Sequence, residues 1–490
     1  MTLEQLIKLV ESGPAEYRPR VSCDSRKLRQ GDIFVAIKGT KMDGRDFIGQ
    51  AVVSGARYVV TDKPTKVASA EVIETPDTAA ALGLLAQAAY DYPNKKLANL
   101  AVTGTNGKTT TTYLARAVIA AAGHKCGLIG TVTTDFGSQT DQTAAAMTTP
   151  DAVELASLSA QMITAGCDYM VTEASSHAIE QNRLAGIDFK AAAFTNLTGD
   201  HLDYHKTMDA YLAAKLKLFE KLSPNAAAVI NKDDPVFEKV AGAASQAEKI
   251  FYSLDLPAEI TAKIISMDIA GTVYDLNLFG KKVRVQTPLI GRHNISNHLA
   301  AAGLVYACGF TPAQIAAGLS KLAKVPGRLE KVPSSADFTI LVDYAHTDDA
   351  LKNVLSTLKP LCKGRLAALF GCGGDRDKTK RPRMAAVAEQ FADLIYVTSD
   401  NPRTEKPLDI IDDILKGFSN PSADNITIEP ERKKAIELAV KAAAAGDIIL
   451  IAGKGHENYQ IIGSEKYHFS DIETAAEFLN LKIEWLCKKI

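Results

Sequence analysis

The sequence lacks any apolar run approaching the roughly 18 residues that a membrane-spanning helix requires. Met1 to Val10 lacks the basic start and unbroken apolar core of a signal peptide: it alternates apolar with polar groups around acidic Glu4 and reads as a short amphipathic helix. Charge of either sign is not in excess, with 56 Lys and Arg against 57 Asp and Glu and a net charge of −1. That balance argues against the broad basic surface with which nucleic-acid binders displace phosphate counterions. Seven cysteines (Cys23, Cys126, Cys167, Cys308, Cys362, Cys372 and Cys487) are scattered, with no C-x-x-C pair and no metal-ligand spacing. They read as buried or incidental thiols in a reducing compartment, and the cytoplasm is expected. Internal repeats and low-complexity segments are absent too, so the organisation has to come from the order of elements.

What is present belongs to the globular class: 46% hydrophobic and 23% charged residues in a chain too long for one ordinary domain. Up to residue 97, short strands such as Asp32 to Ala36 and Tyr58 to Thr61 alternate with Ala-rich helical stretches. This first unit closes on the polar segment Asp91 to Lys96, which reads as a linker. A second unit, 98–325, follows the order strand, glycine loop, helix. Its strand is the apolar run Leu97 to Val102, and its helix from Lys108 carries Leu114, Ala117, Val118 and Ala121 at helical spacing before Gly123. Further strand-like runs at Cys126 to Ile129, Tyr169 to Thr172, Ala191 to Thr195 and Ala226 to Ile230 predict a mainly parallel sheet. After Val325-Pro326-Gly327-Arg328, strand candidates at Thr339 to Val342, Leu366 to Phe370, Leu394 to Val397 and Ile448 to Ile451 mark a third α/β unit, 326–490. A cleft between the second and third units suits the meeting of two substrates.

The glycine loop Gly104-Thr105-Asn106-Gly107-Lys108-Thr109-Thr110 lets backbone N–H groups approach phosphate oxygens at a helix N-terminus. Lys108 suits the β- and γ-phosphates of ATP, and the Thr109 hydroxyl suits Mg²⁺. The spacing departs from the Walker pattern, because the first glycine lies three residues before Gly107 instead of five. Glu173, at the end of a strand, is a candidate magnesium ligand or, equally, a helix-capping carboxylate. His201 and His205 are four residues apart, yet no third soft ligand stands near them to make a zinc site.

Together the loop, Glu173-Ala174-Ser175-Ser176-His177 and the segment Asn196 to His205 resemble the Mur ligase family, in particular its ligases that add the third residue of the peptidoglycan stem peptide. The likeness continues through Gly291 to Asn297, Pro326-Gly327-Arg328, Asp343-Tyr344-Ala345-His346, Gly371 to Arg376, Asp400-Asn401-Pro402-Arg403 and Gly453-Lys454-Gly455-His456-Glu457. It implies an α/β fold of three domains: an N-terminal UDP-binding domain, a central parallel-sheet ATPase domain of phosphate-loop type and a C-terminal Rossmann-like domain. It implies a carboxylate–amine ligase acting through an acyl phosphate, with ATP as co-substrate and two magnesium ions held by Thr109, Glu173, His201 and Lys215. In this reading Lys215 has reacted with CO₂ to become a carbamate; by composition alone it is a solvated helix charge. Thr148, Thr149, Ser175, Gln181 and Arg183, with Ser25 and Arg26, are the implied contacts to UDP-MurNAc-L-alanyl-D-glutamate. Thr149 before Pro150 also reads as a helix cap, and Ser25 with Arg26 as turn residues. Asn294, Asn297, Arg328 and Asp343 are implied ATP contacts from the domain-closure side.

For the incoming amino acid, Arg376, Asp400, Asn401, Arg403, Gly453 and Glu457 point to meso-diaminopimelate. Its second amino-acid centre carries a carboxylate for the two arginines and an ammonium for the acidic groups. L-lysine lacks that carboxylate and would leave Arg403 unpaired. An Asn-Pro turn is the plain alternative for Asn401-Pro402. The competing readings are the lysine-adding ligase, a related ligase such as a folylpolyglutamate synthase, and a nucleotide-gated binding protein without ligase chemistry. Small-molecule substrates and a monomeric state are expected.

Overall fold

The alternation of β-branched apolar runs with Ala- and Leu-rich stretches sorts the chain into three parallel-rich sheets, each covered by helices. A computed structural model describes residues 1–13, 18–39, 42–137, 142–144 and 147–487, with side chains at 142–144, 481 and 483–487 outside the described set. Cys487 is among these. The other six cysteines are free thiols.

The first sheet is parallel, in the order β1 (Val21–Ser22), β2 (Ile33–Val35), β3 (Tyr58–Thr61), β4 (Glu71–Glu74). Helices Leu3–Ser12 and Thr78–Ala89 bury Leu6, Val10, Leu82 and Leu85 on one face, and Ile48–Val53 covers the other. The expected amphipathic start is thus real, fixed by a capping box between Thr2 and Gln5. The segment expected as a linker is built into the structure instead. Asp91 and Tyr92 take positive φ, Pro93–Lys96 forms one helical turn, and buried Asn94 donates to the Gly186 carbonyl at 2.5 Å. Polarity there serves a packed junction rather than solvent.

The central sheet has eleven strands. Its parallel core runs β12 (Glu248–Ser253), β11 (Ala227–Asn231), β10 (Phe189–Phe194), β5 (Ala98–Thr103), β9 (Tyr169–Glu173), β6 (Cys126–Ile129). Helices Lys108–Ala121 and Arg292–Tyr306 pack Leu114, Val118, Leu299 and Leu304 on one face. Ala152–Thr164 and Met208–Glu220 pack Leu155, Met162, Leu218 and Phe219 on the other. The antiparallel extension β13 (Ile260–Asp268), β14 (Gly271–Leu278) and β15 (Lys281–Thr287), together with β7 (Thr133–Asp135) and β8 (Gln142–Ala144), was outside the sequence reading. Successive strands leave β5 in opposite directions, which opens a crevice at its carboxyl end.

The third sheet runs β16 (Glu330–Lys331), β17 (Thr339–Asp343), β21 (Ile448–Ala452), β18 (Leu366–Phe370), β19 (Leu394–Val397), β20 (Ile426–Ile428), all parallel except β16. Asp471 opens the last helix, Asp471–Cys487, and pairs with Arg432 at 2.7 Å, both side chains fully buried. Arg432 also donates to the carbonyls of Ser399 and Ala452. Among the described residues no helix is long and apolar enough to cross a membrane. Asp471→Ala leaves the Arg432 charge buried and unpaired, and is expected to cost about 3–5 kcal/mol in urea denaturation; a loss below about 1 kcal/mol would contradict that role.

Candidate functional site

The chain leaves β5 into the glycine loop, and two positions there admit only glycine. Gly104 has φ +147° and a Cβ on it would meet Thr195 Oγ1 at 1.8 Å; Gly107 has φ +87° and its Cβ would meet Asn297 Oδ1 at 2.2 Å. Gly107 caps the helix Lys108–Ala121 with no side-chain acceptor, so the first-turn N–H groups stay open to an anion. The segment after β10 splints the loop. Thr195 Oγ1 donates to the Asn106 carbonyl at 2.6 Å, and Asn196 Oδ1 accepts from Asn106 N at 2.9 Å.

Two lysines converge on the same point. Lys108 Nζ donates to the carbonyls of Gly104 at 3.0 Å and Thr105 at 2.8 Å, and Lys215 Nζ donates to Gly104 O at 2.9 Å over the Tyr211 ring. Lys215 is 1% exposed, which corrects its reading as a solvated charge. Burial, and then the neighbouring Lys108, push its pKa well below the usual ammonium range. Burial lowers Lys108 as well, opposed by Glu173 and Asp200.

Glu173, buried at the end of β9, is not a helix cap: its Oε1 accepts from Thr131 N and its Oε2 from Thr131 Oγ1, both at 2.9 Å. Thr131 Oγ1 in turn meets Thr148 Oγ1 at 3.0 Å. The helix cap expected at Thr149 belongs to Asp151, whose carboxylate accepts from Val153 N and Glu154 N. Asp151 Oδ1 alone accepts both N–H groups, at 3.0 and 2.9 Å. Thr149 Oγ1 instead donates to Glu173 O at 2.7 Å and accepts from Ser175 N. Arg183 donates to Thr149 O at 2.9 Å and to Gln181 Oε1 at 2.7 Å. His201 stands at φ +56°, and burial lowers its pKa to about 4, so the ring is neutral at neutral pH. His205 Nε2 meets Ser176 Oγ at 2.9 Å.

The third domain reaches this crevice directly. Arg328 stacks 4.6 Å over the Tyr344 ring and donates to Thr109 Oγ1 at 3.2 Å, and Asp349 Oδ2 accepts from Asn106 Nδ2 at 3.0 Å. Asp343 fixes the turn by accepting from Leu329 N and Ala345 N; burial raises its pKa. Asn297 donates to Asn294 Oδ1, and Asn294 to Ile290 O. The His456 ring lines the larger part of the crevice, with Nδ1 buried and unpaired, and burial lowers its pKa to about 4.

A cavity of about 360 Å³ is lined by the glycine loop, Glu173, His201, Lys215, Asn294, Asn297, Arg328 and Asp343. A second, of about 910 Å³, is lined by Thr148, Thr149, Ser175, Arg183, Arg376, Asp400, Asn401, Arg403, Gly453 and Glu457. Both share Thr131, Thr148, Ser175, Asp200, His201, Tyr344 and His346, so they form one continuous crevice. In its far wall Asn401 Nδ2 donates to Glu457 Oε2 at 2.9 Å. Arg403, at φ +51°, donates to Gly374 O at 2.9 Å. The hairpin β22 (Tyr459–Ile462) and β23 (Glu465–His468) holds it through Arg403 N to Ile461 O and Gly463 N to Arg403 O.

Ser25, Arg26 and Gln181 line neither cavity. Ser25 donates to Gln50 and Arg26 is paired with Asp24. Thr131, Tyr211 and Asp349 also line the cavity at the glycine loop, and no sequence signal marks Thr131. Among the described residues no group of three or more His, Cys, Asp or Glu side chains is arranged for a metal ion. The Thr109 hydroxyl and Glu173 carboxylate, sharing a cavity with the phosphate loop, are hard oxygen donors of the type Mg²⁺ takes alongside water and phosphate. Lys215 fits that donor set only as an anion.

Family models match at residues 20–90 ("Mur ligase family, catalytic domain"), 102–305 ("Mur ligase middle domain") and 327–455 ("Mur ligase, glutamate ligase domain"). A Gloeobacter violaceus protein named UDP-N-acetylmuramoyl-L-alanyl-D-glutamate--2,6-diaminopimelate ligase is 45% identical over 94% of this chain and 93% of its own. A solved structure of a ligase of that name is 33% identical, with a TM-score of 0.70 and 99% of both chains covered. A folylpolyglutamate synthase from Mycobacterium tuberculosis shares the fold, at 20% identity and a TM-score of 0.62 over 75% of this chain and 91% of its own.

Thr131→Val keeps the backbone bond to Glu173 and removes the hydroxyl one. A hydrogen bond to a charged group is worth about 1.5–3 kcal/mol, so turnover of Mg·ATP is expected to fall by roughly tenfold or more with little change in melting temperature. Unchanged turnover would take Thr131 out of the site.

Proposed function

The chain belongs to the Mur ligase family, and we propose that it uses ATP to join meso-diaminopimelate to UDP-MurNAc-L-alanyl-D-glutamate in peptidoglycan synthesis. The observation that carries this reading is the continuity of the two cavities. A phosphate cradle at one end opens, past Glu173, Thr148 and His201, onto a pocket with arginines and carboxylates at the other.

A carboxylate is a poor electrophile. Transfer of the γ-phosphoryl group of ATP to the glutamate carboxylate gives an acyl phosphate and ADP; the amine then attacks the carbonyl carbon, phosphate leaves, and the amine loses a proton. The transition state of the first step places negative charge on the transferring oxygens. Gly104, Thr105, Asn106, Gly107 and Thr110 supply the backbone cradle, Lys108 neutralises charge, and Arg328 closes on the phosphates from the third domain. Asn294, Asn297 and Asp343 shape the nucleotide end. Thr109, Glu173, His201 and Lys215 as its carbamate would hold Mg²⁺, which would supply neutralisation of the phosphate charge. Thr148, Thr149, Ser175 and Arg183 face the UDP-linked dipeptide, and Ser25, Arg26 and Gln181 are assigned to the same substrate. At the far end Arg376 and Arg403 receive the distal carboxylate of diaminopimelate, and Asp400, Asn401, Gly453 and Glu457 its ammonium. We place the domain limits at 97/98 and 325/326, and the enzyme in the cytoplasm as a monomer.

Phosphate release from ATP with the UDP-linked dipeptide is the direct test, offering meso-diaminopimelate, L-lysine or no amine. Release that depends on diaminopimelate is expected; release indifferent to amine would sink the ligase reading.

For Lys215 the reading is a carbamate, formed when a neutral amine bonds to CO₂ and releases a proton. Burial beside Lys108 supports it, because both disfavour the ammonium form. Lys215→Ala is expected to abolish most activity, with partial recovery on adding short carboxylic acids. Full activity without them contradicts the carbamate.

A further inference from the structure

Lys454 is 0% exposed, and the one carboxylate paired with it among the described residues is that of Glu457. Its Nζ lies 3.2 Å from Glu457 Oε2 and 3.2 Å from Asn401 Oδ1, with the Tyr459 ring at 5.6 Å. Asn401 Oδ1 also accepts from Ile461 N at 2.9 Å, which fixes the amide so that its Nδ2 donates to Glu457 Oε2 at 2.9 Å. Two donors therefore hold one oxygen of Glu457 from behind. Glu457 Oε1 receives no protein donor among the described residues. Glu457 and Asn401 line the larger cavity and Lys454 does not.

We propose that Lys454 is a positioning residue that sets amino-acid selectivity, holding Glu457 and Asn401 for the substrate ammonium and opposing a substrate end that brings net positive charge. The inference rests on the assignment of this pocket to the distal end of diaminopimelate. The pocket lining carries both signs, and the charge nearest the Glu457 carboxylate is the Lys454 ammonium behind it. A distal centre with both ammonium and carboxylate is neutral overall and brings no net charge up to Lys454. The side chain of L-lysine brings an ammonium alone, and like charge in a partly desolvated pocket is costly. Without Lys454 the cation behind Glu457 is gone, and Glu457 is free to turn both oxygens to a lone ammonium.

Steady-state kinetics of Lys454→Met, Lys454→Gln and Arg403→Ala, each with diaminopimelate, L-lysine and ATP varied, test the proposal. Both Lys454 variants are expected to raise the KM for diaminopimelate by about tenfold or more and leave the KM for ATP within about twofold. The kcat/KM ratio of diaminopimelate to L-lysine is expected to fall by about tenfold. A role in folding alone lowers the melting temperature and moves the constants of all substrates together. An unchanged ratio, or equal shifts for diaminopimelate and ATP, overturns the proposal. Lys454→Gln keeps a neutral donor and reads the same constants if the Met variant does not fold. If Arg403→Ala shifts the ratio and the Lys454 variants do not, only the role of Lys454 falls. If Arg403→Ala leaves the ratio unchanged, the pocket assignment falls and the role of Lys454 with it.

Discussion

Two lysine side chains, Lys108 and Lys215, donate to one carbonyl oxygen, that of Gly104, and much of the central domain is arranged around that crowding. Positive charge on both in so buried a place is disfavoured, so the site calls for anions. Phosphate meets part of that need from outside the chain, and Glu173 meets part from within, held at the end of β9 by both donors of Thr131. The sheet order follows the same need. β9 and β10 flank β5, so the carboxylate wall and the splint at Thr195 and Asn196 arrive on either side of the glycine loop.

What was legible in the sequence follows the period of its patterns. The apolar strands of the parallel cores, such as Leu366–Phe370 and Leu394–Val397, are continuous apolar runs between turn signals, and their limits were read correctly. β13 to β15 were not, because they carry alternating polar and charged residues on an exposed face and lie outside any motif. The segment Asp91 to Lys96 misled through composition: polar side chains that suggest solvent here satisfy the backbone of a junction.

Residues of the site divide along a similar line. Those bound to a motif of fixed backbone, Gly104, Gly107 and Gly453, could be named because only glycine fits positive φ and close approach. Glu173 was named with its partner unknown, since Thr131 lies forty-two residues earlier and nothing local marks it. The plain reading of Lys215 failed because a helix wheel cannot show which helix face a neighbouring loop covers. Thr149 was a plausible cap until Asp151, two positions on, offered the better acceptor.

Arg328 and Asp349 both come from the third domain and both end on the second, one at Thr109 and the other at Asn106. Thr109 would hold the metal and Asn106 belongs to the phosphate loop beside it. Moving the third domain away therefore undoes two supports of the phosphate centre at once. A nucleotide in the cradle therefore has its clamp only where the third domain is seated against the second, and the phosphate centre is a property of the two domains together.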